Sequence, residues 1–286
     1  MMTERTTPAI KIFQICYSEK TLAHVPAGMH ALDNLVNDRP DWREYWPIRN
    51  YLLTHALDDH TLYGFFSPRF CEKTGLDVTS IQQFVAQKYS AQSVVGFSPF
   101  WDLGAFFINV IEQGDFFHDG LRDATLQYVK ATGRDDRIME SVMHSGNTLF
   151  CNYFLADKSF WMRWLEWGER LFALAESTRH SQSCVLNGET RYGESKVPRK
   201  VFVMERLVSM LLTASPDIQS LTYDTYRLPS SITPLNKYMD EAVQCDAFKQ
   251  AWCLSQSEAA LRSFVATRQK VFDGMGKFLA SEAKTP

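Results

Sequence analysis

The chain has 286 residues, 45% of them hydrophobic, and a formal net charge of −3. This composition indicates a globular protein with a sizeable core and excludes an intrinsically disordered chain. Because the chain lacks a net positive charge, it has no global field that attracts nucleic acid or an anionic membrane, so an anion site must be local.

The first half of the sequence alternates predicted strands and helices. An apolar run with β-branched and aromatic residues predicts a central first strand over 9–17, and a long polar loop is expected after it. A helix is predicted over 41–57, with Asp41 as its N-cap and Pro47 as a kink or a new start. Further strands are predicted at 62–67 and 93–100, and further helices at 78–89, 103–114 and 120–133.

The second half continues the alternation. Residues 148–178 predict a strand, a turn at Asp157 and a long amphipathic helix whose aromatic stripe is expected to be mostly core. A helix over 198–215, a late strand over 218–228 and a mostly helical tail from Ser231 follow. The pattern predicts an α/β fold with a mostly parallel sheet flanked by helices and a helical C-terminal tail.

Polar side chains follow three of the predicted strands. These strand ends read Tyr17-Ser18, Ser67-Pro68-Arg69 and Ser98-Pro99-Phe100. Ligands of parallel sheets bind at the carboxyl ends of the strands. We therefore expect these residues to meet at one edge of the sheet and to line a shared crevice.

Several catalytic motifs are absent from the sequence. There is no Gly-rich dinucleotide fingerprint, no phosphate-binding GxxxxGK[ST], no GxSxG and no HExxH. No apolar stretch is long enough to span a membrane and the first residues lack a signal-peptide run, so a cytoplasmic protein is expected. The six cysteines form no CxxC, so we expect free thiols.

The order of segments carries a resemblance. "ALDNLVNDRPDWREYWPIRNYL" precedes "LYGFFSPRFCEKTGL", and "SVVGFSPFWD", "NVIEQGDFFHDGL", "NTLFCNYFLADKSFWMRWLEWGERLFALAE" and "PRKVFVMERLVSMLL" follow in turn. This series, over roughly residues 10 to 215, resembles bacterial GT-A-like glycosyltransferases from capsule, exopolysaccharide and O-antigen gene clusters.

The resemblance implies a fold, substrates and a domain division. It implies a GT-A-like nucleotide-sugar-binding domain over residues 1–230, with a helical extension over 231–286 packed on it. The implied activity is transfer of a sugar from a nucleotide-sugar donor, the co-substrate, to a surface-polysaccharide glycan. The Asp-x-Asp motif of typical GT-A enzymes is absent, so no metal ligand is assigned and a divalent metal is doubtful.

Candidate donor-binding residues lie at the predicted strand ends. Arg69 and Lys73 could stabilise a leaving diphosphate, although both could instead be surface charges beside a turn. On the predicted helix over 41–57, Arg49 is preferred to Arg43 as an anion ligand. The other donor-binding candidates are Tyr17, Ser18, Ser67, Asn152 and Glu205.

Asn152 and Glu205 stand out because each interrupts an apolar run. A buried amide needs hydrogen-bond partners, so Asn152 binds a sugar hydroxyl or ties two loops together. A buried carboxylate is costly unless it is paired, so Glu205 orients a site cation such as Arg69 or pairs with Arg199 or Lys200.

Four catalytic candidates follow the third predicted strand. An inverting transferase needs a base within hydrogen-bond reach of the acceptor hydroxyl, and Glu112, His118 and Asp119 are candidates for that base. Asp102 could bind the hydroxyls of the donor sugar or be what remains of a metal site, although capping of the following helix is the preferred single role.

A second function class stays open. A non-catalytic carbohydrate- or partner-binding protein of the same fold would explain the missing Asp-x-Asp and the many aromatic residues. A carboxylate-pair hydrolase has less support because the sequence fixes no two acids close together. Expected partners are a nucleotide sugar and a glycan, with no nucleic acid and a possible homodimer.

Overall fold

A computed structural model describes residues 8–179 and 185–282, with side chains through residue 276. A six-stranded sheet forms the centre. Its strands are β1 (Ala9–Cys16), β2 (His30–Asp33), β3 (Thr61–Phe66), β4 (Val94–Gly96), β5 (Phe154–Ala156) and β8 (Ser220–Thr222). They lie in the order β2-β1-β3-β5-β4-β8. β5 runs antiparallel to both of its neighbours, and the other three pairings are parallel. A separate hairpin consists of β6 (Glu189–Tyr192) and β7 (Ser195–Pro198).

Helices flank this sheet and extend the chain at its C-terminal side. They are α1 (Glu19–Ala23), α2 (Tyr45–Thr54), α3 (Phe70–Thr74), α4 (Val78–Lys88), α5 (Trp101–Ala105), α6 (Val110–Phe117), α7 (Leu121–Ala131), α8 (Lys158–Ser177), α9 (Arg199–Ala214), α10 (Met239–Ser255) and α11 (Glu258–Glu282). Short 3-10 turns occur at Pro40–Trp42, Asp136–Glu140, Val185–Asn187, Thr225–Arg227 and Pro234–Lys237.

The predicted fold class is confirmed. The sheet is mostly parallel, helices flank it and the C-terminal segment is helical, which is consistent with a GT-A-like α/β fold. The first strand lies inside the sheet, with Phe13 opposite His30 on one side and Phe65 on the other. Asp157 is the N-cap of α8, as expected for the turn before the long helix.

Several element predictions were wrong. The expected polar loop after β1 contains α1 and β2, and the β6–β7 hairpin was not predicted. The helix expected over 103–114 is two helices, because Asn109 caps α6 and separates it from α5. The expected helix over 41–57 is interrupted at Arg43, and α2 begins only at Tyr45. The strands expected at 93–100 and 218–228 shrink to three residues each.

The aromatic stripe of α8 is core, as predicted. Phe160, Trp161 and Trp164 are at most 1% exposed. The Trp161 indole donates to the Tyr63 carbonyl at 3.0 Å, which fixes α8 across β3. Burial of such side chains stabilises the fold by roughly 1.5–3 kcal/mol each.

The C-terminal helices pack on the region around α5. Buried Lys249 on α10 donates to the carbonyls of Gly104 and Phe107, at 2.7 and 2.8 Å. Arg268 on α11 pairs with Glu112 on α6 at 2.8 Å. The division of the chain at residue 230 stays a prediction.

The cysteine prediction concerns six residues, of which Cys184 lies outside the described part of the chain. The five described cysteines form no disulfide. Within residues 8–179 and 185–282, no helix is both long and apolar enough to cross a membrane.

Candidate functional site

A cavity of about 500 Å³ opens at the edge where the parallel strands β1, β2 and β3 end. Tyr17 enters it from the end of β1, Asn34 from the end of β2, and Ser67 from the end of β3. Glu44, which directly precedes α2, and Glu205 on α9 also line it. The cavity therefore lies where ligands of such sheets bind.

The reversed direction of β5 explains why its preceding loop reaches the same cavity. β5 pairs antiparallel with β3, so its amino end lies beside the carboxyl end of β3. This places Cys151, Asn152 and Tyr153 in the cavity wall. The Ser67 and Tyr153 hydroxyls lie 2.6 Å apart and join the two strand ends.

The mouth of the cavity carries cations and aromatic rings. Arg43, Arg69, Tyr17 and Tyr192 are all exposed, and Lys73 is half-buried behind them. The Arg43 guanidinium lies 5.5 Å from the centre of the Tyr192 ring. Arg69 pairs with exposed Glu72, an ion pair that contributes little in water. Since Arg offers a fork of donors and Lys a point charge, this mouth can bind an anionic ligand.

Two carboxyl groups lie deeper in the cavity. Burial and, after it, the nearby charge of Glu205 raise the pKa of Glu44, while Lys73, Arg43 and a hydrogen bond with Asn152 oppose the shift. The net effect is a pKa of about 7. Burial also raises the pKa of Glu205. A carboxyl group with a pKa near neutral can accept a proton from a substrate hydroxyl at physiological pH.

The backbone around the cavity is strained. Seven described non-glycine residues have positive φ, and four of them line this cavity: Asn37, Arg43, Cys151 and Asn152. L-residues with side chains adopt such φ values only at an energetic cost, and such residues cluster at functional sites. The concentration at one cavity supports its assignment as the candidate site.

Asn152 has an unsatisfied acceptor. Its side chain is 4% exposed, and within the described residues its Oδ1 accepts no hydrogen bond. A buried polar atom without a partner is rare and costly. Because Asn152 lines the cavity, a ligand hydroxyl would supply the missing donor.

A cation and a thiol also meet in this wall. Lys73 Nζ lies 3.5 Å from Cys151 Sγ. Burial, the largest influence, raises the pKa of Cys151 to about 11, so the thiol stays protonated at neutral pH. The ammonium group therefore remains available to a ligand.

The structure brings six of the sequence-predicted site residues to this cavity. They are Tyr17, Ser67, Arg69, Lys73, Asn152 and Glu205. Ser18 is not part of the wall and caps α1, where its Oγ accepts from the Thr21 amide. Arg49 points away and forms a two-pronged ion pair with Glu169, at 2.5 and 2.8 Å.

Asp102 and Glu112 lie outside the cavity and connect the C-terminal segment to the rest. Asp102 is fully buried and accepts from the Ser231 amide at 2.8 Å and from its hydroxyl at 2.6 Å. It is not the N-cap expected for its helix, since Phe100 has that position. Glu112 accepts from the Ile108 amide and from Arg268.

His118 and Asp119 also lie outside the cavity wall. The His118 ring stacks on Phe202 at 3.7 Å, and burial lowers its pKa to about 4. Asp119 is exposed, and its carbonyl accepts from Arg199 at 2.7 Å. Neither residue lines the cavity that contains Glu44 and Glu205.

The structure adds several cavity residues that the sequence reasoning did not select. They are Asn34, Asn37, Arg43, Glu44, Cys151, Tyr153 and Tyr192. The "DWREYW" segment contained the signal for Arg43 and Glu44, since a charged pair interrupts an aromatic run there. Tyr192 carried no signal, because the hairpin that presents it was not predicted.

A second cavity, of about 590 Å³, lies between the C-terminal ends of α7 and α9 and the middle of α8. Its three arginines each have an acidic partner: Arg134 and Arg170 pair with Glu166, and Arg137 pairs with Asp135. It lies away from the strand ends, and its cations are already matched, so it is the weaker candidate.

Within the described residues, no three or more His, Cys, Asp or Glu side chains cluster in a way that could hold a metal ion.

Comparison with known proteins gives little further information. No family profile matches the chain, and no curated protein matches it. The chain is similar to a solved structure described as the apo form of the WbbM bifunctional glycosyltransferase, at 11% identity and a TM-score of 0.47. The match covers 79% of this chain, which spans about half, 47%, of the other.

Proposed function

We propose that this protein is a glycosyltransferase that moves a sugar from a nucleotide-sugar donor to a glycan acceptor of a surface polysaccharide. The observation that carries the proposal is the cavity at the carboxyl ends of β1, β2 and β3. It combines exposed cations and aromatic rings at its mouth with two carboxyl groups inside.

The mouth suits the nucleoside diphosphate. Arg43, Arg69 and Lys73 would match the negative charge of the diphosphate and stabilise it as it leaves with the electron pair of the broken bond. The exposed rings of Tyr17 and Tyr192 offer flat apolar faces to a nucleobase.

The interior suits the reacting hydroxyl. The Glu44 carboxylate would accept the proton of the acceptor hydroxyl, and the hydroxyl oxygen would bond to the anomeric carbon of the donor sugar as the diphosphate departs. A pKa near 7 leaves a substantial ionised fraction at neutral pH. Glu205 would tune that pKa through its charge.

A thermal-shift series tests donor binding. The full chain is heated with UDP-, GDP-, CMP- and dTDP-sugars, each with and without manganese. We expect one nucleotide class to raise the melting temperature, because a ligand that binds only the folded chain stabilises it. Absence of a shift with every donor under both conditions would refute the proposal.

The alternative is a non-catalytic carbohydrate- or partner-binding protein of the same fold. Exposure of Tyr17 (52%) and Tyr192 (49%) favours it, because such rings can bind a sugar without any chemistry. Incubation with a radiolabelled donor and a polysaccharide acceptor separates the two functions. Labelled glycan indicates a transferase, whereas glycan binding without labelling indicates the alternative.

A further inference from the structure

The proposed donor site separates its charges by depth. Arg43 and Arg69 are exposed at the mouth, whereas Glu44 and Glu205 are half-buried and Asn152 is almost fully buried. Lys73 is half-buried like the two acids, and its Nζ lies 3.5 Å from the thiol of Cys151, the neighbour of Asn152. A ligand that spans the cavity therefore meets cations first and hydrogen-bond acceptors further in.

This separation orients a nucleotide sugar. The diphosphate has to lie against the cations, and the two exposed tyrosine rings at the mouth suit the nucleobase. The sugar, attached at the other end of the diphosphate, then lies inward, beside Glu44, Glu205 and Asn152.

The inner zone offers acceptors to the sugar. The carboxylate oxygens of Glu44 and Glu205 accept hydrogen bonds, and Asn152 Oδ1 is a buried acceptor without a partner among the described residues. Sugar hydroxyl groups donate hydrogen bonds, so they complement this zone. A sugar carboxylate brings further acceptors and a like charge instead.

The nearest cations do not remove this preference. Lys73 and Arg43 both act electrostatically on Glu44 and on Glu205, and buried Arg206 acts on Glu205 more strongly than either, so the inner carboxylates already share the charge of these cations. A sugar carboxylate would have to compete with two resident carboxylates for the same cations.

Resting on the proposed donor site, we infer that the transferred sugar is an uncharged one with free hydroxyl groups, and that the inner zone rejects uronic acids and other carboxylate-bearing sugars. The discriminating groups are Glu44, Glu205 and Asn152. Glu205 lies on α9 and Asn152 on the strained loop before β5.

Calorimetric titration of the full chain with matched donors tests this inference. The donors are UDP-glucose and UDP-glucuronate, UDP-galactose and UDP-galacturonate, and GDP-mannose and GDP-mannuronate. The two donors of each pair differ in one group only, which is a hydroxymethyl group in the neutral donor and a carboxylate in the uronate donor. We expect the neutral donor of a bound pair to bind at least tenfold more tightly. The free nucleoside diphosphate is titrated as the reference.

Variants assign the preference to the inner carboxylates. Glu205→Gln removes one charge at nearly constant side-chain volume. It should reduce the ratio of the neutral-donor affinity to the uronate-donor affinity at least threefold. Glu44→Gln is the second variant, in case the first does not fold. Glu194→Gln, which removes an exposed acid on the hairpin, is the matched control and should keep the wild-type ratio.

The outcomes separate the two proposals. If the nucleoside diphosphate binds but the uronate donor binds as tightly as its neutral partner or more tightly, this inference is overturned and the donor site stands. An unchanged ratio in both variants also overturns it. If no nucleoside diphosphate binds, the proposed function fails and the inference fails with it.

Discussion

The carboxyl groups of Glu44 and Glu205 interact inside one cavity, although they come from opposite halves of the sequence. The charge of Glu205 is, after burial, the largest influence that raises the pKa of Glu44. Neither acid has a full counter-ion in an ion pair among the described residues, in contrast to Glu112, Glu169 and Glu176, each of which pairs with an arginine. Such an unmatched pair has a measurable consequence for stability.

The first prediction concerns the pH dependence of folding. An acid whose pKa is higher in the folded chain than in the unfolded chain binds a proton more readily when folded, so folding stability falls as pH rises between the two values. For Glu44 this window runs from 4.5 to about 7. Glu44→Gln removes the titration, so at about pH 8 the variant should exceed wild type by about 1–3 kcal/mol in unfolding free energy. Urea denaturation across this window measures it.

The control for this experiment is Glu194→Gln, because Glu194 is exposed on the hairpin. Its stability should follow the wild-type curve at every pH. If the curves of wild type and Glu44→Gln run parallel from 4.5 to 8, the raised pKa of Glu44 is refuted.

The second prediction concerns Lys73. Lys73→Met keeps most of the stem of the side chain and removes the charge that faces the cavity. Nucleoside diphosphate affinity should fall about tenfold, which corresponds to about 1.4 kcal/mol, because one charge-assisted contact is lost. Calorimetric titration at two salt concentrations measures it, and the variant should depend less on salt than wild type. Lys88→Met, at the exposed end of α4, is the control. Equal weakening of both variants would contradict a local role for Lys73.

Sequence reasoning identified the cavity residues that interrupt a pattern or follow a strand. Asn152 lies in an apolar run, Glu205 interrupts an apolar helix, and Arg69 follows a buried strand. All three line the cavity. These signals are local. Each residue is polar or charged in a segment whose apolar neighbours predict burial, and this mismatch can be recognised from the sequence alone.

The choice between Arg43 and Arg49 could not be made from the sequence. A helix was predicted over 41–57 with its kink or new start at Pro47, so no break was expected at Arg43. The backbone instead turns at Arg43, with φ of 46°, and a new helix begins at Tyr45. This turn directs Arg43 to the cavity and leaves Arg49 beside Glu169. A single unusual dihedral therefore decided which residue reached the site.

The positions of the catalytic candidates depend on contacts with residues far away in the sequence. Asp102, Glu112 and Asp119 were selected because they follow the third predicted strand. Asp102 contacts Ser231, and Glu112 contacts Arg268. No local pattern predicts that the C-terminal segment returns to these residues. Glu44 was not selected, because it lies beside Arg43 and an adjacent pair of opposite charges is typical of an exposed surface.

The third prediction concerns the backbone at Asn152, which has φ of 53°. Asn152→Gly and Asn152→Ala both remove the amide, but alanine keeps a Cβ that is strained at this φ. Asn152→Ala should therefore be less stable than Asn152→Gly by about 1 kcal/mol. Thermal unfolding of the two variants measures the difference. The same two substitutions at exposed Gln82 in α4 should give the reverse order, because glycine destabilises a helix interior. Equal stabilities at position 152 would refute the strained backbone.

The fourth prediction separates a structural role from a catalytic role for Asp102. The carboxylate is fully buried and accepts two hydrogen bonds from Ser231. Asp102→Ala removes both and leaves the Ser231 amide without its partner, so unfolding free energy should fall by about 2–4 kcal/mol. Because Asp102 lies outside the cavity, donor affinity of the folded variant should equal that of wild type.

Ser231→Ala provides the matched comparison for Asp102. It keeps the amide contact with Asp102 and removes the hydroxyl, which donates to Asp102 at 2.6 Å and also contacts the hydroxyl and the amide of Thr233, at 2.8 and 3.3 Å. Because Thr233 is not fully buried and water can replace its contacts, the loss of unfolding free energy should be about 1–2 kcal/mol, smaller than that of Asp102→Ala. Thermal unfolding gives the stabilities, and calorimetric titration and labelled transfer well below the melting temperature give affinity and rate. The structural role predicts a lower melting temperature with unchanged transfer per folded molecule. A variant that keeps the wild-type melting temperature but transfers no sugar would instead return Asp102 to the catalytic machinery.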